Sequence, residues 1–156
     1  MADLPPPRST GGEREVLLSL LQFQRESFVR KVTGVSDDDA RRRLVPSDTT
    51  LLWLARHLAF AEHIWLVRRF AGEADDLVTP EPEHDTLHAA VAAYEAMWVR
   101  VDAIVGAADL DDLGAETGHA SPVNLRWILA HLLEETARHA GHADILRELI
   151  DGATGR

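Results

Sequence analysis

Three ionisable side chains interrupt an apolar helical stripe near the C-terminus, where residues 134–142 read EETARHAGH. Residues three or four apart share one face of a helix, so Glu135 and His139 project side by side and His142 follows them. A buried charge is costly unless it is paired or coordinates a metal ion. The pattern therefore predicts a metal site. The apolar positions on either side of these three residues are Ile128, Leu132, Leu146 and Leu149.

His57 is a further candidate, because it lies at the centre of a second apolar helical pattern, LLWLARHLAFA at residues 51–61. A single histidine in such a position is more often a core residue than a ligand. Glu135 and His139 on another helix change that interpretation, since helical bundles build metal sites from carboxylates and histidines on facing helices. His84, His88 and His119 fall in or beside loops and have no such spacing.

The spacing leaves two ligand pairs open: Glu135 with His139, or His139 with His142. Glu135 and His142 are separated by about 10.5 Å along a helix axis. Because a metal–ligand bond is about 2 Å long, we expect only one of them to join a centre built on His139. The other would orient a ligand or face the substrate. His131, one turn before Glu135, is a candidate for a supporting position outside the ligands.

An ion pair is the alternative that needs no metal. Glu135 and His139 would then form a plain ion pair with Arg56, which precedes His57, or with Arg138. The position of His57 would be a coincidence under this alternative. We therefore favour the metal site.

Four long helical patterns must position these residues, and they cover residues 12–32, 50–71, 86–105 and 122–150, with a short helical turn beginning at Ser36. The pair Ser121–Pro122 is typical of a helix start. No run of alternating apolar and polar residues predicts a sheet. We expect an all-α, antiparallel four-helix bundle in one domain, residues 12–152. The Pro-, Ser- and Gly-rich residues 1–11 are expected to form a disordered tail.

Composition excludes several classes of function. The chain of 156 residues has no cysteine, so a cysteine nucleophile and a thiolate metal site are excluded. A formal net charge of −10 argues against binding to nucleic acid, which needs a basic surface. No apolar run approaches the ~18 residues of a membrane span, and residues 1–7 do not resemble a signal peptide. We expect a cytoplasmic protein with no membrane contact.

Three segments resemble the DinB-like metalloenzyme superfamily, which includes YfiT-like hydrolases and the mycothiol-dependent maleylpyruvate isomerase. The segments are residues 50–58 with Trp65, residues 69–73, and residues 134–144. The resemblance extends over residues 17–150 and is strongest in the last segment. It is closest to an uncharacterised subgroup related to the N-terminal domain of the isomerase.

The resemblance implies a four-helix bundle with one metal ligand on its second helix and two, four residues apart, on its fourth. On this chain those positions are His57, Glu135 and His139. Many members have three histidines there, and glutamate at position 135 matches the isomerase instead. The resemblance also implies a divalent metal, for which we expect Zn²⁺ with Ni²⁺, Mn²⁺ or Fe²⁺ as alternatives. A low-molecular-weight thiol, mycothiol or bacillithiol, is the implied cofactor.

Three functions are compatible with this site. The leading hypothesis is a thiol-dependent transferase or isomerase for a small-molecule substrate, in which His142 is a catalytic residue that orients a ligand or moves a proton. The second is a metal-dependent hydrolase with His142 or His131 as proton shuttle. The third is a non-catalytic, stress-associated metal-binding bundle. We also expect a homodimer, with Trp98 as an interface residue or, preferably, a core residue.

Overall fold

The structure is a computed structural model that describes residues 4–74, 85–115 and 121–155. All elements of regular secondary structure in these ranges are helices, so the predicted all-α fold is confirmed. None of these helices is both long and apolar enough to cross a bilayer. The helices are α1 (Glu13–Val32), α2 (Asp37–Ala40), α3 (Leu51–Glu62), a π-helical segment (His63–Phe70), α4 (Leu87–Gly106) and α5 (Leu125–Asp151).

Side-chain caps fix where three of the long helices begin. The Thr50 hydroxyl accepts a hydrogen bond from the N–H of Trp53, and Thr86 caps α4 in the same way. The predicted start of the last helix at Pro122 is wrong, because the Asn124 side chain accepts the N–H of Trp127 and α5 begins only at Leu125. Such caps satisfy N–H groups that have no partner within the helix.

The predicted single helix over residues 50–71 consists of two parts. It is α-helical as far as Glu62 and π-helical from His63 to Phe70. The N–H of Ala71 donates to the carbonyl of Leu66, five residues earlier. π-Helical segments are rare and occur frequently at functional sites.

The four long helices form two parallel pairs that run in opposite directions. Arg126 at the start of α5 binds Glu13 at the start of α1 (2.7 Å), and Lys31 near the end of α1 pairs with Asp144 toward the end of α5. Helices α3 and α4 are also side by side, and their first halves contribute to the same apolar cluster. The long helices are therefore antiparallel between the two pairs, whereas α3 and α4, although successive, run in the same direction.

The core comprises two apolar clusters with a buried polar layer between them. One cluster contains most of α3, the first half of α4 and the later turns of α1 and α5. The other contains residues of the π-helical segment, the second half of α4 and earlier turns of α1 and α5. Between them Arg25 of α1 binds both carboxylate oxygens of Glu62 at 2.8 Å, and only 2% and 1% of these two residues are exposed. Trp98 is half-buried and packs edge-to-face on Tyr94 of this layer.

The buried face of α5 differs from the predicted stripe. His142 and Leu149 are exposed. Thr136, Ala140 and Ala143 are buried. Helix α5 packs mainly against α1 and also against α3, so its buried face is wide, and the predicted stripe lies partly on the edge of that face.

Candidate metal centre

Helices α3 and α5 bring His57, Glu135 and His139 together. Oε1 of Glu135 lies 2.9 Å from Nε2 of His57 and 3.0 Å from Nε2 of His139. The potential ligand atoms of all three side chains are within 4.8 Å of one another, and no other such group of three occurs among the residues that the structure describes. The two imidazole rings meet edge-to-face at 4.6 Å. Residues 78 positions apart thus converge on one point.

Local structure determines how each side chain reaches this point. Glu135 and His139 are four residues apart on α5 and so share a face. His57 lies one turn after Trp53, whose ring stacks on its imidazole at 4.7 Å with an angle of 9° between the planes. Trp53 is held in the first turn of α3 by the Thr50 cap. The stacked indole restricts rotation of the His57 ring and forms one wall of the site.

Electrostatics favour the protonation states that bind metals. Burial alone would raise the pKa of Glu135, but hydrogen bonds with His57 and His139 hold it below its ordinary value of 4.5. Burial lowers the pKa of His139 below its ordinary value of 6.5, and the charges of His57 and His142 lower it further, although Glu135 acts in the opposite direction. At neutral pH the pair is therefore a carboxylate and a neutral imidazole.

The donor set fits a divalent metal ion. Two imidazole nitrogens and one carboxylate oxygen are typical ligands of Zn²⁺ in catalytic sites, where a fourth position stays open. The side chains of His57, Glu135 and His139 are 27%, 14% and 10% exposed, so the cluster lies near the surface and a small molecule can reach it.

Of the two arginines that the alternative without a metal pairs with the cluster, only Arg138 contacts Glu135. Nη1 of Arg138 lies 3.2 Å from Oε2 of Glu135, and the same guanidinium also binds Glu134. Arg56 pairs with Asp85 at 3.7 Å instead. Arg138 therefore occupies one oxygen of Glu135, and the other oxygen faces the two histidines.

The remaining candidate histidines lie elsewhere. The exposed His142 places Nδ1 3.3 Å from Nδ1 of His139, on the side of that ring opposite Glu135. His131 contacts Glu134 at 3.7 Å and packs on Trp127, so it lies outside the cluster. His88 is exposed on α4. His84 and His119 are outside the described residues.

Sequence reasoning missed an aromatic cluster beside the site. Trp65 and Arg69 of the π-helical segment contact each other, with the guanidinium carbon 4.3 Å from the ring centroid. Trp127 and His131 of α5 stack at 5.0 Å, and Trp65 packs against both. Each pair is spaced by four residues, which is the signal that could have identified it.

Two solved structures are similar to this chain. A conserved protein from Enterococcus faecalis superposes with a TM-score of 0.68 at 16% identity, covering 92% of this chain and 100% of that chain. A DinB-like protein from Bacillus cereus superposes with a TM-score of 0.65 at 17% identity, covering 89% and 96%. At these identities the likeness shows a shared fold. No curated protein matches the chain.

A family assignment comes from the sequence. The mycothiol-S-transferase family matches residues 16–152, a range that includes all three residues of the cluster. The match extends from the second turn of α1 to the residue after α5. The predicted resemblance to DinB-like proteins is thereby confirmed. The chain, with its helical bundle and its His–Glu–His cluster, belongs to the mycothiol-S-transferase family.

Proposed function

We propose that the protein is a metal-dependent transferase or isomerase that uses a low-molecular-weight thiol, with His57, Glu135 and His139 as metal ligands. The observation that carries the proposal is the position of Glu135 Oε1, within 3.0 Å of both imidazole Nε2 atoms. The family match supports the thiol, because the family is that of mycothiol-S-transferases. Zn²⁺ is the metal that this donor set suits best.

His57, Glu135 and His139 would hold a divalent ion, and the chemistry it would supply is Lewis acidity, which makes a thiol or water more acidic near neutral pH. Since the chain has no cysteine, a thiol nucleophile must come from a second molecule. The chain's own residues hold and orient the reactants. Trp53, 43% exposed, provides an apolar face beside His57 against which a substrate can pack.

His142 is the proposed catalytic residue for proton transfer. It is exposed and lies next to His139 without contacting Glu135. Imidazole is the side chain suited to accepting and donating protons near neutral pH. We propose that His142 takes the proton of an incoming thiol or returns one to the product.

Metal content tests the ligand assignment. The purified protein should hold about one divalent ion per chain, and His57→Ala, Glu135→Gln and His139→Ala should each weaken Zn²⁺ binding at least tenfold, as losses around metal sites commonly do. His88→Ala is the matched control, because His88 is exposed on another helix. Equal zinc content in the three variants, the control and the parent protein would refute the site.

Activity measured with and without thiol tests the reaction class. The metal-loaded protein should convert electrophiles only when mycothiol or bacillithiol is added, and His142→Ala should lower kcat by about 10²-fold or more, the usual range for a proton-transfer residue. Turnover of amides or esters in the absence of thiol would instead identify a hydrolase.

A further inference from the structure

A pocket of about 210 Å³ lies between the π-helical segment and the start of α5, apart from the metal centre. Trp65 and Arg69 line it from the π-helical segment, and Trp127 lines it from α5. Gly114 and Val123 line it from the connection before α5. None of these residues belongs to the His–Glu–His cluster.

The walls of the pocket are aromatic. The rings of Trp65 and Trp127 are 5.1 Å apart with 51° between their planes, and His131 stacks on Trp127 at 5.0 Å with an angle of 20°. Trp127 is 46% exposed despite its size. Exposed indole faces favour flat, apolar groups that can stack on them.

Arg69 adds a positive charge to these walls. Its guanidinium carbon is 4.3 Å from the centroid of Trp65, and no carboxylate among the described residues pairs with it. Other arginines of this acidic chain, such as Arg25, Arg126 and Arg147, do bind carboxylates. A planar guanidinium that pairs with none of the described carboxylates is suited to binding a carboxylate through two parallel hydrogen bonds.

The backbone around the pocket is tied in place. The N–H of Gly114 donates to the carbonyl of Val123 (3.0 Å), and the N–H of Ala115 donates to the carbonyl of Phe70 (3.1 Å). A Cβ atom at Gly114 would lie only 2.8 Å from the carbonyl oxygen of Arg69. The π-helical geometry of His63–Phe70 is a second, independent mark of a functional segment.

The pocket and the metal centre lie along the same helix. His131, in the pocket's aromatic cluster, is one turn before Glu135. Trp127 is eight residues before Glu135, which corresponds to about 12 Å along the axis of α5. A ligand of ordinary metabolite size can therefore have one end at the metal centre and the other in the pocket.

We infer that this pocket binds aromatic carboxylates, with the ring stacked on Trp127 and Trp65 and the carboxylate on Arg69. In the reaction it holds the non-reacting end of the electrophile, a role that rests on the proposed function. The binding itself does not depend on the metal.

Titration of the metal-free protein with 1-naphthoate and with neutral 1-naphthamide tests the inference. The indole N–H resonances of the four tryptophans, assigned from Trp→Phe variants, report where each compound binds. We expect saturable shifts of Trp65 and Trp127 but not of Trp53. Naphthoate should bind about tenfold more tightly than the amide, the effect of one hydrogen bond to a charged group.

Arg69→Gln should abolish the preference for naphthoate, and Arg69→Lys should retain part of it. Arg68→Gln is the matched control, since Arg68 is the preceding residue, is exposed and does not line the pocket. Equal affinities for the two compounds in the unmodified protein, shifts confined to Trp53, or the same loss in Arg68→Gln would overturn the inference. The titration uses protein freed of metal with a chelator. A failure of the inferred ligand binding is therefore distinguished from a failure of the proposed zinc binding.

Discussion

The Glu135 carboxylate contacts three side chains that can carry a positive charge, and these contacts decide what the site can do. One carboxylate oxygen faces Nε2 of His57 and Nε2 of His139, and the other faces Arg138. A carboxylate held in this way keeps its charge, as its lowered pKa indicates. The structure thus presents an anionic oxygen and two imidazoles to the same point, and Arg138 orients the carboxylate from outside.

The lowered pKa of His139 predicts how the free energy of unfolding depends on pH. Because folding holds its pKa below the ordinary 6.5, the unfolded chain binds a proton there first as the pH falls. The free energy of unfolding of the metal-free protein should not depend on this group above about pH 6.5. Below that pH it should fall, by at most about 1.4 kcal/mol per pH unit from one group. The lowered pKa of Glu135 acts in the same direction at lower pH, below its ordinary 4.5.

Urea unfolding between pH 7.5 and 5.5 measures this dependence. His139→Gln should make the curve shallower, whereas His88→Gln, at an exposed position on α4, should not change it. Parallel curves for the parent protein and His139→Gln would contradict the prediction.

A close backbone contact at Gly114 connects the π-helical segment with the chain that leads into α5, beside the aromatic pocket. Gly114 lies against Arg69 and Phe70 at the end of the π-helical segment. The connection continues into α5 through backbone hydrogen bonds, including that from the N–H of Arg126 to the carbonyl of Leu110 (2.9 Å). Helix α5, which bears Glu135 and His139, is therefore joined to the end of the π-helical segment that continues α3, the helix of His57.

Gly114→Ala should destabilise the protein by about 1–3 kcal/mol, the usual cost of overpacking, because the new Cβ meets backbone atoms that cannot rotate away. Gly106→Ala is the control: nothing lies within 4 Å of its Cβ, and the residue is helical. That variant should be neutral or up to about 1 kcal/mol more stable. Thermal or urea unfolding measures both, and equal effects would refute the argument.

At the scale of the whole molecule, the buried polar layer lies between the two apolar clusters of the core. Burial alone would lower the pKa of Arg25, but the Glu62 carboxylate and Asp102 raise it above its ordinary value. Burial raises the pKa of Tyr94 well above its usual range, and the Glu62 charge adds to this. Thr136, the neighbour of Glu135, is buried beside this layer.

The predicted homodimer stays a prediction.

Removing one side chain of the buried Arg25–Glu62 pair should lower the free energy of unfolding far more than removing both. Arg25→Met should lower the free energy of unfolding by about 3–5 kcal/mol, because it leaves the buried Glu62 carboxyl, whose pKa burial already raises, without its guanidinium partner. The double variant Arg25→Met/Glu62→Leu should recover most of this loss. Arg30→Met, which breaks the more exposed pair with Glu26, should cost less than about 1 kcal/mol. Additive losses in the double variant would show that the two side chains do not act as a pair.

Most of the fold and part of the site could be predicted from local sequence patterns. The apolar periodicity predicted α1 and α4 to within a residue or two, since it reflects which face of each helix is buried. The π-helical segment was not predicted, because no residue type marks a hydrogen bond to the fifth preceding carbonyl. The start of α5 was also missed, because Asn124 caps the helix after an equally good signal at Ser121.

The sequence by itself determined the donor types, their spacing on one helix and the absence of a protein thiol. The spacing could not choose between Glu135 and His142 as the neighbour of His139, because both place the side chains on one helical face. Only the resemblance implied Glu135. The tertiary structure brings His57 to Glu135 and leaves His142 exposed. That outcome depends on the direction and packing of α3 against α5. These are set by contacts between residues far apart in the chain, and no local pattern contains them.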